Sequence, residues 1–529
     1  MVDKAKRLLR RANQNQTVSH AAMLISLAYL ASRLLGLFRD RLLVARFGIG
    51  PKLSAYNAAF RLPDLLYTLL VSGAFAVAFI PVLTRHLQKD QQEEAWQVTS
   101  SLLTILVLAT IVGSALIFIF AGPLTTLLTP GFNAQTHALT VRITQIMAVT
   151  PVLFAVSSVL GSIQQAFNRF VIFSLAGVMY NLGIIFGIIF FANHLGIFGV
   201  AWGVVLGVIL QALLQWLGLY GIGFKYRPSL SLKLAGVRET LRLMVPRSID
   251  QGIDQINYSV ETIIGSTISQ SAIAQFSLAN NLKNVPLVLI GSSISTAVFP
   301  RLAARAASGA RQQLIQGYVK TARLILFLSI PSALFAVLAR GYIVRLLYGF
   351  GDAATANTLG WFAGTIVFTG LFMLISRVFF AMQDTKTPLY TSLGSIPLNI
   401  LLSFILAHKY GVVGLAMAAS IVAVLETTLL AAILRRRQGN FGEGQIVRGG
   451  IYMSLAGLFM TIIVHFLIKQ TLPLYAGERG FIQLMPKFLI IVTTATVTYL
   501  VPCYFMRLAE AKFFVSRLRE MMLKSFNLT

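Results

Sequence analysis

Long apolar runs recur along almost the whole chain, and they limit what it can fold into. About fourteen of them, near 20–46, 54–83, 97–121, 141–167, 171–193, 197–222, 243–266, 275–300, 321–346, 356–382, 388–407, 411–434, 449–468 and 486–506, are bounded by charged or Gly/Pro-containing turns. A helix needs about 20 apolar residues to cross a bilayer. Hydrocarbon offers no partner to backbone N–H and C=O groups, so such runs must close their own hydrogen bonds as helices. Of the 529 residues 56% are hydrophobic and 12% are charged; a soluble domain carries about twice that charged share. The chain reads as an all-α polytopic membrane protein of about fourteen transmembrane helices, with almost no mass outside the bilayer.

The charge that remains is lopsided. Lys and Arg number 44 against 17 Asp and Glu, a net +27. The basic residues sit in short clusters between apolar runs, not in one basic domain, so their partners are anionic lipid headgroups and not nucleic acid. Segments on the side of the N-terminus carry several-fold more Lys and Arg than the opposite loops. That bias places both termini in the cytoplasm. Lys4, Lys6, Arg7, Arg10 and Arg11 precede the first run, which continues through Arg33 without a small-residue cleavage site; an uncleaved span is expected. After the last run, Arg507 to Leu528 alternates Lys512, Arg517, Arg519 and Lys524 with Phe513, Phe514, Leu518, Met521 and Met522, a pattern expected to lie as an amphipathic helix on the inner membrane surface. The lone Cys503 and six scattered histidines form neither a disulfide framework nor a metal site. The chain has no GxxxxGK[ST], HExxH or GxSxG pattern, so neither an ATP-driven pump nor a hydrolase is expected.

The runs repeat. Gly196-Ile-Phe-Gly199-Val-Ala201 returns 215 residues later as Gly411-Val-Val-Gly414-Leu-Ala416; Ala78-Phe-Ile-Pro81 returns after 219 as Ala297-Val-Phe-Pro300; Asn181 returns after 218 as Asn399. Six spans per half is an even number, so the halves share one orientation as parallel repeats that rock around a central cavity. The expected organisation is an N-terminal six-helix lobe over 1–222, a C-terminal six-helix lobe over 223–436, and two extra helices with the tail over 437–529.

Ionisable residues inside spans are costly and usually face an interior cavity. The first span carries Ser32, Arg33, Arg39, Asp40, Arg41 and Arg46, with Gly36 between Arg33 and Arg39, where a bend could turn both to one side. Arg61 and Asp64 open the second span at a spacing that permits a local ion pair. The seventh span places Asp250, Asp254, Asn257 and Glu261 on one stripe, with Arg247 at its start. Three acids on one stripe must pair with cations, bind a monovalent cation or take up protons, so the stripe is a candidate for ion coupling. The eighth span adds Asn280, Asn281, Lys283 and Asn284, and the tenth adds Arg377. Either the acids pair with Arg and Lys as interior salt bridges, or the cations bind an anionic substrate. Arginine forks suit phosphate, and several facing one cavity would match a diphosphate headgroup.

Ser32-Arg33-Leu-Leu-Gly36-Leu-Phe-Arg39-Asp40, Ala59-Phe60-Arg61-Leu62-Pro63-Asp64, Ser72 through Pro81, Leu346-Leu-Tyr-Gly349-Phe-Gly351 and above all Arg377-Val-Phe-Phe-Ala381-Met-Gln-Asp384-Thr385-Lys386-Thr387-Pro388 together resemble the MurJ (MviN) family of lipid II flippases, within the multidrug/oligosaccharidyl-lipid/polysaccharide exporter superfamily. The resemblance implies two six-helix lobes around a cationic cavity with alternating access, a groove for the polyprenyl tail formed by the last two spans, and substrate-binding roles for Arg33 and Arg39. It implies lipid II as substrate and cell-wall synthesis proteins as partners, with no cofactor and no covalent chemistry. Other family charges are absent: Ser54 stands at a common acid, Tyr67 at a cavity arginine, and Asn281 and Asn284 at an arginine and a glutamate. Arg247, Lys283 and Arg377 are the available replacement cations. Within the same superfamily, a flippase for another polyprenyl-linked glycan or a drug/cation antiporter are the competing readings; outside transport, a transport-inactive scaffold for cell-wall assembly is the alternative.

Overall fold

The computed structural model describes residues 18–349, 351–475, 477–478 and 481–516; side chains at 18–24, 26, 72–74, 246–247, 249–250 and 253–254 are outside the description. Among the described residues there is no strand. By packing, the chain divides into two compact units, Met1–Ala274 and Gln275–Thr529.

The first unit contains α1 (Val18–Phe47), α2 (Pro51–Ala59), α3 (Arg61–Leu70), α4 (Ser72–Gln88), α5 (Gln92–Ile119), α6 (Ala121–Leu128), α7 (Ala134–Met147), α8 (Thr150–Ala166), α9 (Phe170–Ser174), α10 (Ala176–Phe186), α11 (Ala192–Leu195), α12 (Ile197–Gly218) and α13 (Ala235–Ile268). The apolar run expected at 54–83 is broken into α2, α3 and α4. A helix over Gly187–Phe191 with π geometry joins α10 to α11. Lipid is as apolar as Leu, so close backbone approach replaces the hydrophobic drive between helices. Gly183 and Gly187 of the α10 segment lie directly against Gly207 and Gly203 of α12, where a Cβ would strike backbone. The small-residue motif beginning at Gly196 is therefore a packing stripe. Helix α13 packs on α3 and α4 inside this unit. By packing, the seventh span groups with the first six, whereas the repeat boundary at 222/223 assigns it to the second half.

The second unit contains α14 (Ala272–Pro286, entering from the first unit), α15 (Ser293–Ala307), α16 (Arg311–Leu338), α17 (Arg340–Tyr348), α18 (Ala353–Trp361), α19 (Ala363–Ala381), α20 (Lys386–Tyr410), α21 (Val412–Gln438), α22 (Glu443–Phe466) and α23 (Phe481–Phe505). Met453, Met460, Val464, Ile491, Tyr499 and Cys503 of α22 and α23 form a buried cluster with Phe327 of α16 and Tyr342 of α17.

Among the described residues, twelve helical stretches have the length and hydropathy to cross a membrane. Helices α1 and α13, at 30 and 34 residues, are also long enough to span, and side chains of both lie partly outside the description; the expected count of fourteen is not confirmed. The chain is a multi-pass helical membrane protein.

Backbone details recur between the halves at the offsets of the sequence motifs. Helices α5 and α16 are both 28 residues and start at 92 and 311. Asn133 Oδ1 accepts from Thr136 N at 2.8 Å and caps α7; Asp352 Oδ2 accepts from Thr355 N at 2.7 Å and caps α18. The left-handed Asn168 (φ 55°) has its counterpart in Gln383 (φ 64°), and Asp90 (φ 56°) in Gly309 (φ 68°). Turns of this kind require a specific backbone sign, so their recurrence is independent of the apolar pattern.

The described start of the C-terminal tail is helical and packs against the second unit on one side, while Phe513 is exposed. Leu508 and Ala511 are buried in the α16–α22–α23 cluster, and Glu510 accepts from Arg323 Nε at 2.7 Å and Nη2 at 3.0 Å. The helical stretch 509–516 thus docks on protein. Residues 517–528 of the expected amphipathic helix lie outside the described residues.

Candidate functional site

Helix α1 runs unbroken through Gly36, so Arg33 and Arg39 point different ways. Arg33 is exposed; its Nη2 donates to Tyr29 Oη at 2.6 Å one turn back. Arg39 turns inward. Its Nε and Nη2 donate to Asp40 Oδ1 at 3.0 and 2.7 Å, and its Nη1 donates to Asn181 Oδ1 at 3.2 Å. Asn181 is buried and spends its amide on α1 as well: Nδ2 donates to the Ser32 carbonyl and Ser32 Oγ at 3.2 Å each, and to Gly177 O at 2.9 Å. A Cβ at Gly177 would come 2.7 Å from Ser32 Oγ, so that hydroxyl would have to turn away from Asn181. One amide thus fixes both the guanidinium and the helix that carries it. Arg46 repeats the link at the end of α1, donating to Ile188 O at 3.1 Å and Asn193 Oδ1 at 2.5 Å.

Arg61, at the start of α3, reaches α13. Its Nε donates to Thr262 Oγ1 at 2.8 Å, and its guanidinium lies 5.4 Å from the centre of the Tyr258 ring. The local ion pair with Asp64 that the spacing permits is not formed; the guanidinium is directed across to the seventh span. Glu261, next to Thr262, is buried and Asn257 is half-buried. The other stripe residues, Asp250 and Asp254, and Arg247 at its start, have side chains outside the description.

Ser54 and Tyr67, at which the resemblance implies charges in other members, make neutral contacts here. Buried Ser54 accepts from Ala274 N at 3.1 Å, and Tyr67 shares a 3.1 Å hydrogen bond with Ser158 while its ring lies 5.0 Å from Phe154.

In the second unit the candidate cations Lys283 and Arg377 each make ring contacts. Lys283 Nζ is buried 4.5 Å from the centre of Phe362, and Arg377 lies 5.5 Å from Phe299 and 5.9 Å from Phe380. Such contacts hold a cation without cancelling its charge. Asn281 and Asn284 are half-buried on α14. At the turn after α19, Asp384 accepts from Lys386 N (3.1 Å), Thr387 N (3.0 Å), Thr387 Oγ1 (2.6 Å) and Arg437 Nη1 (2.7 Å). Partial burial pushes its pKa up, but the Thr387 hydroxyl and N–H, Arg437 and the Lys386 N–H outweigh this and hold it below the usual carboxylate range.

The structure therefore brings Ser32 and Arg39 together, sets Arg33 apart, and directs Arg61 to α13. Asn181 was visible in the sequence only as a recurring residue; Thr262 and Tyr258 left no signal, because pairing across 201 positions is not written in either helix.

These features define a class first: a multi-span helical transporter whose interior carries fixed cations. Its fold is similar to that of an inward-facing multidrug resistance MATE family transporter of the MOP superfamily (TM-score 0.65, 15% identity, covering 78% of this chain and 96% of that one). It is also similar to a structure described as lipid II flippase MurJ in an inward closed conformation (TM-score 0.76, 23% identity, 92% and 99% covered). The family model described as lipid II flippase MurJ matches residues 43–485, and the chain belongs to that family. Relatives include a "Probable lipid II flippase MurJ" of Buchnera aphidicola, 28% identical over 460 residues (84% of this chain, 89% of that protein), and a "Lipid II flippase MurJ" of Burkholderia cenocepacia, 27% identical over 431 residues (79% and 84%).

Proposed function

We propose that this protein carries lipid II, an undecaprenyl-diphosphate-linked peptidoglycan precursor, from the inner to the outer leaflet of the bacterial cytoplasmic membrane. The observation that carries the reading is Arg39, a membrane-embedded guanidinium held by Asp40 and Asn181 in a chain of this family. Arginine remains charged at every stage of transport and can fork onto a phosphate. Arg33, Arg39 and Arg61, with Arg247, Lys283 and Arg377, supply cations for the diphosphate; Ser32 and Asn281 add hydrogen bonds. Two six-helix repeats, 1–222 and 223–436, alternate access, and the repeated caps and turns support that division. The helices of 437–529 take the polyprenyl tail. The α13 stripe, Asp250, Asp254, Asn257 and Glu261, couples movement to a proton or monovalent cation. Both termini face the cytoplasm, and cell-wall synthesis proteins are its partners. No bond is made or broken, so the protein is not an enzyme.

The test is complementation of cells depleted of their own lipid II flippase, with a direct assay of outer-leaflet lipid II. The wild-type chain is expected to restore growth and lipid II exposure, and Arg39→Ala to fail at equal membrane abundance. A wild-type chain present in the membrane that restores neither overturns the reading.

A further inference from the structure

The two halves solve one junction differently. In the second unit α21 ends at Gln438 and α22 begins at Glu443. Phe441 is buried with its ring 5.6 Å from Tyr318, and Gly442 (φ 88°) lies against Val319 and Ile315. That junction is filled. In the first unit α12 ends at Gly218 and α13 does not begin until Ala235. Gly223 (φ 84°), 219 positions before Gly442, meets only Gln92 Nε2 at 4.0 Å. From there residues 223–231 form neither helix nor strand, and between them and the first turns of α5 lies a cavity of about 560 Å³.

The cavity is built. Trp96 lines it, with its ring 5.9 Å from Phe167 and 5.3 Å from Phe224. The linker is tied down by Arg227 N donating to Ser100 Oγ at 3.2 Å and by a 2.9 Å hydrogen bond between Tyr226 and Thr104. Lys225 and Arg227 line the linker side, Gln92 and Gln97 the helix side. The one acid in the lining, Glu93, meets Arg227 at 3.3 Å in a largely exposed pair, which water weakens. From 223 to 234 the linker has no acid; it carries Lys225, Arg227 and Lys233. Tyr226, Leu230 and Leu232 are exposed beside them. The cavity falls between the end of one candidate span at Gly218 and the start of another at Gln92, and span ends are where a membrane helix meets the headgroups. Cations interleaved with exposed apolar groups at that boundary are the chemistry of an anionic lipid site.

We propose that this cavity binds the headgroup of an anionic glycerophospholipid, with Lys225 and Arg227 on the phosphodiester and the acyl chains running past Leu230 and Leu232. This is a discrete site, separate from the general attraction of basic loops to an anionic leaflet, and it does not depend on which lipid the protein transports.

The test uses the full chain in detergent, with dioctanoyl phosphatidylglycerol and dioctanoyl phosphatidylcholine as probes and retention read by native mass spectrometry. K225Q/R227Q is expected to weaken phosphatidylglycerol retention about tenfold and to leave phosphatidylcholine unchanged; K225R/R227K restores it. Lys233→Gln, on the same linker but outside the cavity lining, is expected to have little effect. Equal retention by wild type and K225Q/R227Q overturns the proposal. So does an equal loss in Lys233→Gln, which would mean diffuse charge, or inorganic phosphate or glycerol 3-phosphate binding as tightly as the lipid, which would mean a soluble anion. A photoactivatable phosphatidylglycerol provides a variant-free check: adducts within 92–100 or 223–234 support the site, and adducts only elsewhere overturn it.

Discussion

Arg39 in the first unit and Arg377 in the second are held by different physics. Arg39 is bound by a carboxylate and an amide, with directional bonds of 2.7 and 3.2 Å. Arg377 lies over the rings of Phe299 and Phe380. Directional polar bonds fix position and are costly to leave half-made in a low dielectric. Ring contacts are shallower, so they tolerate displacement. The comparison casts Arg39 as an anchored charge and Arg377 as an adjustable one.

The strongest attempt to break it is Arg39→Ala beside Arg377→Ala. Arg39→Ala removes the guanidinium that Asp40 accepts from, so it should cost about 3 kcal/mol or more of stability and lower lipid II flux at least about tenfold. Arg377→Ala should cost about 1 kcal/mol and lower flux a few-fold; equal losses in thermal unfolding would remove the distinction. Next comes packing. Gly183→Leu in the first unit drives a side chain into the backbone of Gly207 and should destabilise by about 1–3 kcal/mol. Gly394→Leu in the second unit meets open space and should stay within about 0.5 kcal/mol. Asn181→Leu should be intermediate, about 1–3 kcal/mol, with flux falling more than substrate binding, because it uncouples Arg39 from α10 while leaving its bonds to Asp40.

The smallest effect expected is a pH dependence at Asp384. Its folded pKa lies below its ordinary value, so its contribution to stability is complete above the unfolded pKa of about 3.9 and is lost as pH falls through the folded value. Asp384→Asn should therefore flatten the acid limb of thermal unfolding while leaving the curve's shape near pH 7 unchanged. An acid limb identical to wild type would show that this turn is not held by the carboxylate.

What could be read from the sequence follows from where the information sits. Glycines that let backbones touch leave a mark at their own positions, so the stripes opening at Gly196 and Gly411 were legible, as was the cationic character of the first span. The direction of Arg39 was not, because a helix face says nothing about which neighbour it meets; only Asn181, from α10, decides it. Arg61 was legible as a buried charge, but its partner Thr262 was not. The amphipathic pattern of the tail from Arg507 was legible, but the contact of Glu510 with Arg323, far away in sequence, was not.

The glycine contacts between α10 and α12 have a mechanical consequence. Backbone pressed on backbone has no side-chain rotamers to yield, so the two helices form a stiff beam. Asn181 and Asn193 belong to the α10–α11 segment of that beam, and through Ser32, Arg39 and Arg46 they fasten α1 along its length. Any movement of the beam therefore carries the Arg39 charge with it, without slack, as a pointer fixed to its lever.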